Sequence, residues 1–209
     1  MRRPRTSEEL ERAKDRIIDA ALAIIVEEGF PCLTMRRLAS RLHMSAPNLY
    51  NFFASKDEIY ITIVIKGFRM LQEELERAAS GASTPEEKAR AMIEAYVDFG
   101  TKNSPYYDIM FTMPTPKYKA YQGTPYEKLS EVEYRISMDI AGLAAQTLRE
   151  LSRGGVQKDE DLTHDLVHIW CLVHGMVSLA NSNIIGYVAS DVKAAYQRIV
   201  DDIVERYRG

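Results

Sequence analysis

Cysteine is almost missing from this chain. Two stand in 209 residues, Cys32 and Cys171, far apart and without a CxxC spacing. A disulfide framework is excluded as the basis of the fold, although counting alone leaves one bridge open, and a reducing cytoplasm fits. Glycine and proline are few, 11 and 8, and most stand at segment edges. No low-complexity tract and no internal repeat is found. An apolar leader core is also lacking, because MRRPRTSEELERAKDR is charged throughout. The longest stretch free of Asp, Glu, Lys and Arg runs from Leu166 to Ser190. It has the length to span a bilayer. It also carries His168, His174, Asn181, Ser182 and Asn183, which are costly in hydrocarbon. We expect a buried helix with a polar tail and no membrane partner. Catalytic signatures are missing too: no nucleophile elbow, no HExxH, no phosphate-binding glycine loop and no dinucleotide fingerprint. A Ser/His/Asp set can be picked from any chain of this size and counts for nothing. The expectation is a protein that is not an enzyme and needs no cofactor.

The composition, 46% hydrophobic and 27% charged, suits a globular protein of one or two domains. Net charge is −3, but residues 1–56 carry +3 and the remainder −6. A mildly basic N-terminal part on an acidic body suits a small DNA-facing domain.

The chain reads as helical nearly throughout. Thr6 with Glu9 makes a capping box, and Leu10, Ala13, Ile17, Ala21, Ile24 and Ile25 then form one apolar face. Gly29 marks a left-handed cap. Thr34 and Ser45 cap two short helices, and Ser55 with Glu58 opens a longer one to about Ala79. Within it, the β-branched run Ile59–Ile65 would suit a strand. The cap and the flank Phe68, Leu71, Leu75 favour a helix. Thr84-Pro85, Ser104-Pro105 and Thr124-Pro125 open later segments. Gly154-Gly155 closes one of them. Two further helices are expected near 160–185 and 191–206.

The stretch TMRRLASRLHMSAPNLYNFFASKDE, from Thr34 to Glu58, carries the most functional information. With Met35 as the first position, Leu38, Ala39, Leu42, Met44, Leu49 and Phe52 fall fourth, fifth, eighth, tenth, fifteenth and eighteenth. This spacing suits two short helices crossing steeply through a small-residue contact, the DNA-binding helix-turn-helix. Ser45 caps the second helix, Ala46 permits close approach, and Pro47 is tolerated in the first turn. Asn48 is the best base reader, since an Asn side chain can bind adenine bidentately. The arm Arg2, Arg3, Arg5 suits either a minor groove or solvent.

Four segments, IIDAAL from Ile17, EEGF ending at Phe30, TMRRLAS from Thr34 and SAPNLYNFFASKDE from Ser45, in this order and spacing resemble the N-terminal domain of the TetR family of bacterial transcriptional regulators. WCLVHG from Trp170, with YDIMFTMP from Tyr107, resembles the ligand-domain subfamily named for a Trp-His-Gly motif. The resemblance implies an all-α homodimer. A three-helix DNA-binding domain over 1–54 would precede a helical ligand-binding and dimerisation domain over 55–209. A repressor would bind a palindromic operator, and a small-molecule inducer would release it. The setting would be the bacterial cytoplasm, at the nucleoid. Tyr50 would reach a backbone phosphate, and Thr34, Arg36, Arg37 and Lys56 would add backbone contacts, with Ser45, Ala46, Asn48 and Asn51 completing the DNA-facing set. Arg36 and Arg37 also suit solvated charges, Tyr50 a core position, and Asn51 a polar helix end. Two positions depart from the family pattern: His43 stands where the turn usually has Gly, and Phe52 where a phosphate-binding His is common.

Toward the C-terminus, Leu162, Leu166, Ile169, Trp170, Val173, Met176, Val177, Leu179 and Ala180 ring one helix almost fully. The final helix carries a wide stripe: Val192, Tyr196, Ile199, Val200, Ile203, Val204 and Tyr207. Both need cover. A second copy supplies it through an isologous contact of the last two helices; a core helix and a cover helix within one monomer is the other arrangement. Candidate inducer contacts are Tyr96, Phe99, Tyr107, Met110, Phe111, Met113, Trp170 and His174, which equally suit core or interface. Their chemistry fits an apolar or aromatic ligand. The alternative is a metal-responsive DNA-binding regulator using His164 and His168, four apart on one helix near Asp161 and Asp165.

Overall fold

A computed structural model describes residues 6–152 and 159–208. The arm Arg2, Arg3, Arg5 and the Gly154-Gly155 stop lie outside the described residues. Among the described residues the regular elements are all helical, with no strand. They are α1 (Ser7–Glu28), α2 (Met35–Arg41), α3 (Ala46–Tyr50), α4 (Lys56–Ser80), α5 (Pro85–Lys102), α6 (Ser104–Tyr107), α7 (Glu127–Leu151), α8 (Asp159–Asn181) and α9 (Val192–Tyr207). Short 3₁₀ turns lie at Phe30–Cys32, Tyr118–Tyr121 and Ile185–Tyr187, and α6 runs on as a π-helical turn over Asp108–Thr112. None of the described helices is long and apolar enough to cross a membrane.

The chain divides into two compact units. The first joins Met1–Phe68 to Pro105–Arg135; the second joins Arg69–Ser104 to Ile136–Gly209. Helices α4 and α7 contribute to both.

In the first unit, the Thr6–Glu9 capping box starts α1. Gly29 ends it at φ 89°, as glycine allows, but its ψ of 157° is extended rather than left-handed helical. The chain has to turn at once into Phe30–Cys32, and a left-handed cap would curl it back. Ile17, Ala21, Ile24 and Ile25 of α1 are buried, as are Leu38 and Ala39 of α2 and Leu49 of α3. The strand-like Ile59–Ile65 run is helical. Ile59, Tyr60, Ile61, Ile63, Val64 and Ile65 are all buried, so packing on several sides outweighs their modest helix propensity. The start of α4 is capped by Ser55, which accepts from the Glu58 N–H at 3.1 Å, while the Glu58 carboxylate reaches back to the Ala54 N–H rather than to Ser55. Gly67 lets the π-helical turn come close, because a Cβ there would lie 2.5 Å from the Met110 sulfur. Lys117 Nζ donates to the Ile109 and Met110 carbonyls and to Thr115 Oγ1, satisfying acceptors left over where the helix ends. Burial lowers the Lys117 pKa and raises that of Glu133.

In the second unit, α5 is bonded to α7, α8 and α9. Lys88 pairs with Glu150, Asn181 donates to the Gly100 carbonyl, and Gln197 donates to Glu94. The Tyr196 hydroxyl donates to the Met176 carbonyl at 2.6 Å, joining α9 to α8. Helix α8 stops at Asn181, short of the expected Ile185. Asn183 then takes a φ of 56°, which asparagine tolerates better than most residues. The apolar stripe of α9 (Val200, Ile203, Val204, Tyr207) is buried within its own unit. Helix α8 buries Leu162, Val173, Met176 and Val177 but leaves Val167, Trp170 and Leu179 exposed.

Candidate functional site

The helix-turn-helix lies wholly in the first unit. Thr34 Oγ1 accepts from the Arg37 N–H at 3.1 Å and starts α2. The turn Leu42–Met44 follows, with the Met44 N–H donating to the Ala39 carbonyl at 2.8 Å. His43 adopts φ 52° there, the left-handed conformation a glycine would take without cost. Ser45 then caps α3 by accepting from the Asn48 N–H. Leu49 and Phe52 point into the core, so Phe52 keeps the packing role of its position.

The side chains expected to face DNA differ in exposure. Thr34, Arg36, Arg37, Ser45, Tyr50 and Asn51 are exposed; Ala46, Asn48 and Lys56 are half-buried. Tyr50 is 53% exposed, which sets aside the core alternative for it. The arginines of α2 differ. Arg37 pairs with Glu28, and Arg41 pairs with Glu27 through both nitrogens at 2.8 and 3.0 Å. Arg36 makes no ion pair among the described residues. Lys56 lies with its ammonium 4.6 Å from the centre of the Phe30 ring, a cation–π contact. The Phe30 contact was not foreseen, and neither were the Glu27 and Glu28 pairings. Two carboxylates at the end of α1, with arginines four apart on α2, were the available signal for the latter.

The eight inducer candidates fall into two sets. Tyr107, Met110, Phe111 and Met113 belong to the first unit. Tyr107 and Met110 are buried there, and the Phe111 ring packs edge-on to Phe68 at 5.7 Å. Burial pushes the Tyr107 hydroxyl pKa up to about 12. Tyr96, Phe99, Trp170 and His174 belong to the second unit. There the Trp170 Nε1–H donates to the Tyr96 hydroxyl at 3.3 Å, and that hydroxyl lies 2.9 Å from His174 Nε2. The His174 ring meets Tyr96 and Trp170 edge-on, and burial lowers its pKa. Phe99 also lines an open cleft of about 280 Å³ with Glu74, Arg77, Ala78, Ala95, Asp98, Lys102 and Asn103, which sequence reasoning did not single out. As for the metal alternative, His164 lies 3.5 Å from Asp165, and His168 Nδ1 meets the Tyr207 hydroxyl at 2.7 Å. Among the described residues no three His, Cys, Asp or Glu side chains gather where a metal could sit.

Residues 17–63 match the family model of bacterial regulatory proteins of the tetR family, and residues 89–203 match the tetracyclin repressor-like C-terminal domain. The chain belongs to the TetR family. Among curated TetR relatives, the transcriptional repressor KstR of Mycolicibacterium smegmatis is 30% identical over 42% of this chain and 43% of its own. The transcriptional activator FasR of the same organism is 24% identical over 68% of this chain and 66% of its own. The chain thus spans less than two thirds of the length of these relatives. A TetR-family regulatory protein from Rhodococcus superposes with a TM-score of 0.73 at 17% identity, covering 94% of this chain and 97% of that one. The TetR regulator PfmR of Thermus thermophilus gives 0.68 at 19% identity, over 91% and 98% of the two chains. These structures share the TetR fold.

Proposed function

We propose that this TetR protein is a repressor that binds a palindromic operator as a homodimer and is released by a small apolar or aromatic inducer. Residues 1–54 act as the DNA-binding domain and residues 55–209 as the ligand-binding and dimerisation domain, in a bacterial cytoplasm. The observation that carries the reading is the surface of the helix-turn-helix. A Ser45-capped α3 leaves Tyr50 exposed, with Asn48 and Asn51 beside it, and Arg36 on α2 has no ion pair among the described residues. Asn48 reads a base edge. Thr34, Arg36, Arg37, Ser45, Tyr50 and Lys56 hold the backbone, and Ala46 and Asn51 complete the contact surface.

The dimer forms through the last two helices. Exposed Val167, Trp170 and Leu179 of α8 support this, because solvent-facing apolar side chains on one helix suit a second copy. The two half-sites then lie about 34–36 Å apart or a multiple of it. Tyr96, Phe99, Trp170 and His174 form the proposed inducer contacts, a mostly apolar lining with a few oriented polar atoms. The Trp170–Gly175 stretch supports membership of the Trp-His-Gly subfamily.

Gel shifts against genomic fragments test the reading. The protein should retard a discrete fragment, with affinity falling steeply as salt rises. Tyr50→Ala and Asn48→Ala should abolish the shift. Variants that bind such a fragment as tightly as the parent would overturn the site.

A further inference from the structure

Helix α4 starts directly after the helix-turn-helix, and side chains from distant parts of the first unit hold its first two turns. The Tyr121 hydroxyl donates to Asp57 Oδ1 at 3.1 Å. One turn on, the Tyr60 hydroxyl donates to the Pro116 carbonyl at 2.7 Å. The rings connect these bonds. Phe30 meets Tyr60 edge-on at 4.8 Å, and Tyr60 lies 6.5 Å from Tyr121. Tyr121 is buried and in turn meets Tyr126 at 6.4 Å. At the far end, the Lys56 ammonium sits over Phe30. Lys56 is thus linked to Tyr121 through packed side chains as well as through the backbone of α4.

We propose that Tyr121 is a positioning residue for DNA binding: through Asp57 and the Tyr60–Phe30 ring pair it fixes the first turn of α4 and aims Lys56 at a backbone phosphate. The inference rests on reading Lys56 as a backbone contact. A lysine head on a flexible stem samples many rotamers, and a ring beneath it narrows the choice. The ring itself needs a fixed support, which Tyr60 provides and Tyr121 backs. The Tyr121 hydroxyl also holds Asp57, the residue after Lys56 in the first turn of α4. Burial and the Asp57 carboxylate both raise the Tyr121 pKa, so the hydroxyl remains a donor.

Salt titration of binding separates positioning from plain destabilisation, because the slope of log K against log salt counts neutralised phosphates. The probes are a short duplex recovered from genomic fragments by binding and a mixed-sequence duplex of equal length. Tyr121→Phe keeps the ring and deletes the hydroxyl. It should bind several-fold more weakly, with a slope shallower by about one, as Lys56→Ala should. Added to Lys56→Ala, it should cost little more. Asp57→Asn retains an oxygen acceptor and should keep the parent slope, whereas Asp57→Leu should not. Thermal melts set the measuring temperature below each variant's transition. If Lys56→Ala lowers the slope and Tyr121→Phe leaves it unchanged, the inference fails alone. If Lys56→Ala keeps the parent slope, or the parent binds neither duplex, the Lys56 reading fails and takes the inference with it.

Discussion

The Arg41 guanidinium donates two hydrogen bonds to the Glu27 carboxylate, from Nη1 at 2.8 Å and Nη2 at 3.0 Å. That bond holds the Glu27 carboxyl below its usual range. Arg37 is occupied in the same way by Glu28. The last turn of α1 therefore pairs with two of the three arginines of α2, and Arg36 makes no ion pair among the described residues. Arg36→Ala should weaken DNA binding on any duplex and lower the salt slope by about one. Arg41→Ala should leave that slope as it is. Equal slopes for Arg36→Ala and the parent would show that the exposed guanidinium is only solvated.

His43 sits at φ 52° in the turn between α2 and α3. A side chain in this conformation costs about 1 kcal/mol, which glycine does not incur. A full gain of about 1 kcal/mol would raise the melting temperature of a chain this size by about 2–4 °C, so His43→Gly should give a rise below that. The gain is reduced by the extra freedom glycine has when unfolded. A drop in melting temperature would mean that the imidazole makes a contact worth more than the strain.

Gly67 faces Met110 and Tyr106 so closely that a Cβ would come within 2.5 Å of the Met110 sulfur and 3.2 Å of Tyr106 Cδ1. Alanine would gain about 1 kcal/mol of helix propensity. Overpacking of a filled site costs about 1–3 kcal/mol, so the clash should win and Gly67→Ala should destabilise. Met110→Ala opens space on the other side of the contact. The double variant should then lose less than the sum of the two single losses in chemical denaturation. Strict additivity would show that Met110 already swings clear.

Much of this was legible along the chain, because helix caps and apolar spacing are local. Thr6, Thr34 and Ser45 cap where their spacing to the next N–H donor suggests. The Met35–Phe52 pattern buries Leu38, Ala39, Leu49 and Phe52. Local signals pointed two ways where the tertiary surroundings decide. The Ile59–Ile65 run resembles a strand because its β-branched residues respond to burial, which a helix covered on several sides also provides. The α9 stripe needed cover, and its own unit supplies it at Val200, Ile203, Val204 and Tyr207. Contacts between segments far apart had no sequence signal at all. Tyr121 and Asp57 are 64 positions apart, and Tyr96 and His174 are 78 apart. Grouping the inducer candidates by residue type could not reveal that four of them lie in the first unit and four in the second.

The hydroxyl of Tyr96 on α5 joins two side chains of α8. It accepts from the Trp170 indole at 3.3 Å and lies 2.9 Å from His174 Nε2, a bond that runs in either direction with the imidazole tautomer. Burial disfavours the charged imidazolium and lowers the His174 pKa. In the unfolded chain this histidine takes up its proton near the ordinary value of about 6.5. The folded chain resists protonation until a lower pH. Between the two values the unfolded state binds more protons, so stability falls as pH drops through about 6.5 and levels off below the folded value. His174→Gln retains a polar partner for Tyr96 but cannot titrate. Its melting temperature should fall less than the parent's between about pH 7 and pH 5, a window set by the ordinary histidine pKa. The other titrating groups are common to both proteins and cancel in the difference. Emission from Trp170, the chain's single tryptophan, follows the transition beside the titrating group. Parallel pH profiles for parent and variant would show that His174 protonates as readily in the folded chain as in the unfolded one.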